Sequence, residues 1–271
     1  MNLPLRWDLV TPDQLGSMLD DVEAPEVWYL DDLAECAGKV LARSGDGDLV
    51  FVGRSLDSMF DLLGGALEGR KLHRLPLSFR HGPVLRGDVP RAREMLAEIG
   101  VTPASLARRD RPVTFVDVVA TGGSFEKLFG LLDDWIAEER ETWPAIRRKL
   151  RFVGVTIRRR TSPNVERWQQ QAEWTRRLPA SSVVNVSLDV RVWSYLGNNQ
   201  TKLTWPFPLH RWREHLREAK RDERTRVALA EAVHLVALGR TQEVRRKIAR
   251  GMDGEPALSE SWLRTLQSRL S

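Results

Sequence analysis

The stretch 112–125, PVTFVDVVATGGSF, carries the reading of this chain. Val113, Thr114, Phe115 and Val116 form an apolar, β-favouring run that reaches one acid, Asp117. Val118, Val119 and Ala120 follow, then Thr121-Gly122-Gly123-Ser124. Phe125, Leu128, Phe129, Leu132, Trp135 and Ile136 next recur at helical spacing. The pattern predicts strand, tight glycine turn, helix. Such a turn aims backbone N–H groups and a helix N-terminus at one point, an arrangement suited to a phosphate. Glycines let the backbone approach an anion, and the hydroxyls of Thr121 and Ser124 add donors. The plainer alternative is an ordinary turn with Ser124 as helix N-cap.

The same unit occurs earlier. Residues 31–43 carry a helical period, Asp46-Gly47-Asp48 a turn, and Leu49 to Val52 a short buried strand. Gly53-Arg54-Ser55 leads into a second helix through Met59, Phe60, Leu62, Leu63 and Leu67. Leu72 to Phe79 reads as an edge strand because of Pro76. Residues 80–90 form a basic loop with Arg80, His81 and Arg86, and short helices follow at 91–99 and 104–108. Strands are expected at 150–157 and 183–188, a helix at 163–177, and a turn at 193–201 around Gly197-Asn198-Asn199. Within that turn Asn198, Asn199, Gln200 and Lys202 are able to read a base or an amide. Alternating strands and helices predict an α/β fold, a parallel sheet with helices on both faces. Ligands in such sheets sit at the carboxyl ends of the strands, where Arg54 and Asp117 both fall.

No Walker P-loop and no dinucleotide fingerprint is present. The 113–125 segment instead resembles the phosphoribosyl-diphosphate motif of type I phosphoribosyltransferases. On that resemblance Asp117 takes the second acid of the motif and residues 121–124 the phosphate loop, without a gap. Val116 stands at the first acid and Ala120 at the variable position. The resemblance implies that Thr121, Gly122, Gly123 and Ser124 hold a 5-phosphate. It implies that Asp117 holds a ribose hydroxyl or metal-bound water, with Mg²⁺ as cofactor. Gly53, Arg54 and Ser55 fall where the family has its diphosphate loop, and Arg80, His81 and Arg86 where it has a mobile loop. Arg54 offers a planar donor fork that suits a diphosphate; its alternative is an ion pair with Asp57 or another helix acid. Asp117→Asn is expected to change affinity more than stability, as at an ordinary surface position.

At 271 residues the chain has ample core, and 42% apolar with 29% charged residues is the composition of a folded domain. No apolar run is long enough to span a bilayer, and residues 1–8 lack a signal-peptide core. The single Cys36 fits a reducing compartment, so a cytoplasmic location is expected. Acids crowd the first third and bases the later part, for example Arg147, Arg148, Lys149, Arg151 and Arg158 to Arg160. That charge suits phosphorylated substrates or nucleic acid. Ten tryptophans are scattered without a cluster and read as packing. His210, His215 and His234 form no metal set. Trp205-Pro206-Phe207-Pro208 marks a boundary, giving a phosphoribosyltransferase-like domain over 1–204 and a helical extension over 205–271 that covers it or builds a homo-oligomer.

These readings lead to a phosphoribosyl transferase acting on phosphoribosyl diphosphate, with the acceptor open. The alternatives are a non-catalytic module that binds a phosphorylated ribose or nucleotide, and a nucleic-acid-associated protein.

Overall fold

Apolar runs at five points of the chain pair side by side. The computed structural model describes residues 6–23, 25–67, 72–79, 84–157, 167–207 and 221–271. Its strands are β1 (Asp48–Val52), β2 (Leu72–Leu75), β3 (Val113–Val118), β4 (Leu150–Ile157) and β5 (Val183–Leu188). All pair in parallel, in the order β2-β1-β3-β4-β5. Parallel neighbours need long crossovers, which here carry helices. Those before the last strand are α1 (Leu30–Arg43), α2 (Asp57–Ala66), α3 (Val89–Glu98), α4 (Pro103–Arg108), α5 (Gly123–Glu138), α6 (Trp143–Ile146) and α7 (Trp168–Gln171). After β5 come α8 (Val190–Ser194), α9 (Glu223–Arg240), α10 (Gln242–Arg250) and α11 (Ser261–Leu270).

Strand alternation divides the core into two layers. Leu49 and Phe51 of β1 pack with α1, α2, α9 and α10, whereas Val50 and Val52 pack with α3 and α5. On β3, Val116 faces the first layer while Val113 and Phe115 face the second. The sheet is therefore hydrophobic on both faces and helix-covered on both, as a parallel sheet requires. The expected α/β class is what the chain forms. β2 lies at the sheet edge and stops at Leu75, because Pro76 has no N–H for a ladder.

The last helices share the first layer. Leu235, Ile248 and Met252 are buried in one core with Leu33, Val40 and Phe51. α9 lies so close on α2 that a Cβ at Gly239 would strike the Leu62 carbonyl, and one at Gly65 the backbone of Val236. Among the described residues no helix is long and apolar enough to cross a membrane.

Three local expectations change. The helix expected at 163–177 is in two pieces where it is described: α7 ends at Ala172, which is extended (φ −88°, ψ 97°), and a 3-10 turn follows over Glu173–Arg177. The turn expected at 193–201 is helical: α8 runs into a π-helical turn over Tyr195–Asn199, without positive φ at Gly197 or the two asparagines. Its anchors are tertiary, with Leu196 buried and Trp193 Nε1 donating to the Val155 carbonyl at 3.0 Å, and they override the turn preference of the sequence. The tail helix begins only at Ser261, after a 3-10 turn over Pro256–Ser259. Leu209, His210, Trp212, His215 and Leu216 lie outside the described residues, as do Arg158 to Arg160.

Candidate functional site

β1 and β3 are neighbours in the sheet, but their crossovers part. β1 feeds α2 in the first layer and β3 feeds α5 in the second. Where successive connections leave to opposite faces, the sheet opens a crevice at the strands' carboxyl ends. The loops at 53–56 and 119–122 flank that crevice. The sheet thus brings Gly53, Arg54 and Ser55 to the same end as Asp117 and residues 121–124.

The glycine turn has the expected conformation. Gly122 is left-handed (φ 84°, ψ 0°) and caps α5, whose first residue is Gly123. The first-turn N–H groups, at Gly123, Ser124 and Phe125, have no intrahelical acceptor. Ser124 is the second helical residue rather than the cap. Thr121 is exposed, and its Oγ1 lies 3.9 Å from where a Cβ of Gly123 would stand. Trp168 closes the loop's inner side. A Cβ at Gly122 would come 2.8 Å from Trp168 Cζ3 and nearer still to Cε3. Its indole N–H donates to Asn185 Oδ1 at 2.6 Å, and Asn185 Nδ2 donates to Gln169 Oε1 at 2.8 Å. Glycine at 122 is thus required twice, by φ and by the tryptophan. Glu126 is exposed in the first turn of α5, where its charge opposes an anion.

Asp117 is not the surface carboxylate that its position at a strand end suggests. It is 7% exposed, and Oδ1 accepts the N–H of Val118 at 2.7 Å. Burial raises its carboxyl to about 8, while the Val118 N–H and the charge of Lys202 pull in the opposite direction. Near neutral pH the group is a protonated acid, able to donate one hydrogen bond and to accept others.

A strap from Gln200 to Phe207 crosses the mouth beside β1. Lys202 Nζ donates to the Ser55 carbonyl at 3.2 Å and to Gln200 Oε1 at 2.5 Å. Arg54 Nη1 donates to the Thr204 carbonyl, and the Ser78 N–H to the Phe207 carbonyl. Gly197 approaches Val118, as a Cβ there would lie 3.5 Å from Val118 Cγ1. Behind the strap is a dense polar cluster. Arg74 holds Asp57 in a fork at 3.0 and 3.2 Å, and Arg6 holds Asp61 at 2.6 and 2.5 Å. Asp57, the alternative partner named for Arg54, is thereby held by Arg74. Glu231 accepts from Tyr29, Gln200 and Tyr195. Burial lowers the Lys202 ammonium to about 8, with Arg54's charge adding to the effect against the pull of Asp57, Glu231 and Asp61.

Arg80 and His81 lie outside the described residues, and Arg86 is exposed in the turn that leads into α3. Among the described residues no group of three His, Cys, Asp or Glu converges on a metal position. A lone buried acid beside a lysine's charge is not a seat for Mg²⁺. Trp168 and Lys202 are the side chains beside the two loops that the motif alone does not reveal. Lys202 had a signal in the polar run 198–202, whereas Trp168 was one of ten scattered tryptophans that read as packing. Comparison with protein-family models, curated proteins and solved structures gave no match.

Proposed function

We propose that the chain is a phosphoribosyltransferase-like protein that holds a phosphorylated ribose in the crevice between β1 and β3. The observation that supports this best is the topology: the glycine turn after β3 and the Gly53–Ser55 loop after β1 flank one switch point. In this reading residues 121–124 take the 5-phosphate on the N-terminal dipole of α5. Asp117, protonated, meets a ribose hydroxyl. Arg54 and the Gly53–Ser55 backbone face a diphosphate on C1. Transfer would break the C1–O bond, with the electron pair leaving on the diphosphate, as a nucleophilic acceptor bonds to C1. The protein's part is to position the reactants and to neutralise the leaving group.

A binding module for a phosphorylated ribose or nucleotide is the second reading. It is favoured by Val116 and Ala120 in the motif and by a neutral Asp117, which grips ribose less firmly than a pair of ionised acids. Incubating the protein with phosphoribosyl diphosphate labelled in the ribose, Mg²⁺ and a panel of nitrogen-base acceptors separates the two. Labelled nucleotide or acceptor-dependent release of diphosphate supports the transferase. Saturable binding without turnover supports the module, and absence of both sinks the proposal.

A further inference from the structure

Asp117, Gly154 and Asn185 stand in one row across the sheet: Asp117 of β3 pairs with Gly154 of β4, and Gly154 with Asn185 of β5. Register partners on neighbouring parallel strands project to the same face. Alternation puts this row on the second layer, because Phe115, Val119 and Phe152 pack there, whereas Val116, Val118, Val153 and Val155 pack in the first. The middle position of the row has no side chain, and Trp168 lies over it. A Cβ at Gly154 would stand 3.2 Å from Trp168 Cζ2, 3.2 Å from Val119 Cγ2 and 3.1 Å from Asn185 Oδ1. The indole N–H is tied to Asn185 at 2.6 Å, so one end of the row anchors the ring. The Cε3–Cζ3 edge of the same ring meets Gly122, and Phe125, the third residue of α5, packs on it with ring centres 5.9 Å apart. The indole thus fills a slot that exists because residues 122 and 154 are both glycine.

Neighbouring strands lie about 4.8 Å apart, so a ring seated over Gly154 stands beside the carboxyl of Asp117. No like charge raises that carboxyl. Burial does, against the Val118 N–H and against Lys202, the charged side chain that acts on it among the described residues. What excludes water on the β4 side therefore sets whether the acid keeps its proton. We propose that Trp168 is a positioning residue of the candidate site: its indole walls Asp117 from water on the β4 side and braces Gly122, so that one side chain keeps the acid dry and the 123–125 amides aimed. It acts through Asp117 and the glycine turn rather than on the ligand itself. The brace rests on the ribose-phosphate reading above, whereas the wall stands on the sheet register alone. The same role accounts for the polar chain behind the indole, in which Asn185 accepts its N–H and is itself fixed on Gln169 at 2.8 Å.

The test is a carboxyl-carbon NMR titration of Asp117 in ligand-free wild type and Trp168→Leu, with calorimetric titration of ribose 5-phosphate into both. In Trp168→Leu the Asp117 midpoint is expected to fall by about 1 pH unit or more, because water reaches the carboxyl. Ribose 5-phosphate binding is expected to weaken about tenfold as the turn loses its brace. Trp168→Phe keeps an apolar ring in the slot and retains most of the raised midpoint. A residue that only filled the core would lower stability and leave the carboxyl midpoint of the folded protein in place. An unchanged midpoint in folded Trp168→Leu, or a lowered midpoint with unchanged ribose 5-phosphate affinity, overturns the assignment. Should Trp168→Leu fail to fold, the wild-type indole N–H resonance of Trp168, identified by its absence from Trp168→Phe, decides. It is expected to move with the same midpoint as the Asp117 carboxyl, and an indole signal that ignores that titration overturns the assignment. Wild type that does not bind ribose 5-phosphate refutes the ribose-phosphate reading beneath the brace, and the carboxyl titration still judges the wall.

Discussion

Replacing Asp117 by asparagine should stabilise the ligand-free protein, and by an amount that depends on pH. The amide keeps the shape and the acceptor for the Val118 N–H at 2.7 Å, but it cannot ionise. In the folded chain the carboxyl is raised from 3.8 to about 8, chiefly by burial. A folded-state value above the unfolded one means that the folded protein holds the proton longer. Wild-type stability, relative to the amide, is therefore complete below about pH 4 and is lost progressively up to about pH 8. The slope is about 1.4 kcal/mol per pH unit, because one proton is released on unfolding across that window. The full span amounts to about 6 kcal/mol, an upper figure, since water entry and relaxation around a buried carboxylate reduce it. Lys202 titrates in both variants, so its contribution largely cancels in the difference. Urea unfolding of wild type and Asp117→Asn at several pH values between about 4 and 9 gives the difference curve directly. A gap that widens with pH and levels off near 8 is expected. Parallel curves would show that the carboxyl is ionised and solvated in the native state.

Other consequences are as specific. Gly122→Ala should destabilise by about 2 kcal/mol or more, from positive φ and overlap with the Trp168 indole; thermal unfolding reads it, and full stability would mean that the tryptophan yields freely. Substituting valine there to test phosphate binding would thus confound binding with folding, so Ser124→Ala is the cleaner loop variant. Arg74→Met leaves Asp57 buried without its fork and should cost about 3–5 kcal/mol in denaturant unfolding, with a smaller loss when Asp57→Leu is added. Gly239→Ala drives a methyl into the Leu62 carbonyl and should cost about 1–3 kcal/mol; a neutral result would show that α9 is able to shift on α2.

Much of the framework was legible in the sequence because it depends on local pattern. The apolar runs ending at Val52, Val118 and Ile157 had strand length and β-branched content, and the glycine turn marked the start of α5 within a residue. The α/β class followed from their alternation. Long-range contact was hidden. The acid at 117 sits among apolar neighbours, which permits either a solvated strand end or a buried carboxyl. Its burial depends on layers contributed by distant segments. Trp168 reaches Gly122 across more than forty positions, so no spacing rule connects them. The Gly197-Asn198-Asn199 run carried a true turn propensity that the anchoring of Trp193 and Leu196 overrode. Lys202 was visible as part of a polar run, but its tie to Ser55 exists only because the strap folds back over β1.

In the proposed function the crevice between β1 and β3 binds a phosphorylated ribose through the 121–124 loop. The most direct measurement is amide-resolved NMR of the isotopically labelled protein during titration with ribose 5-phosphate. Saturable shifts are expected at the amides of Gly122, Gly123, Ser124 and Phe125, which a phosphate at the start of α5 would engage. Absence of shifts at those amides up to millimolar ligand, or saturable shifts confined to another part of the chain, would contradict it.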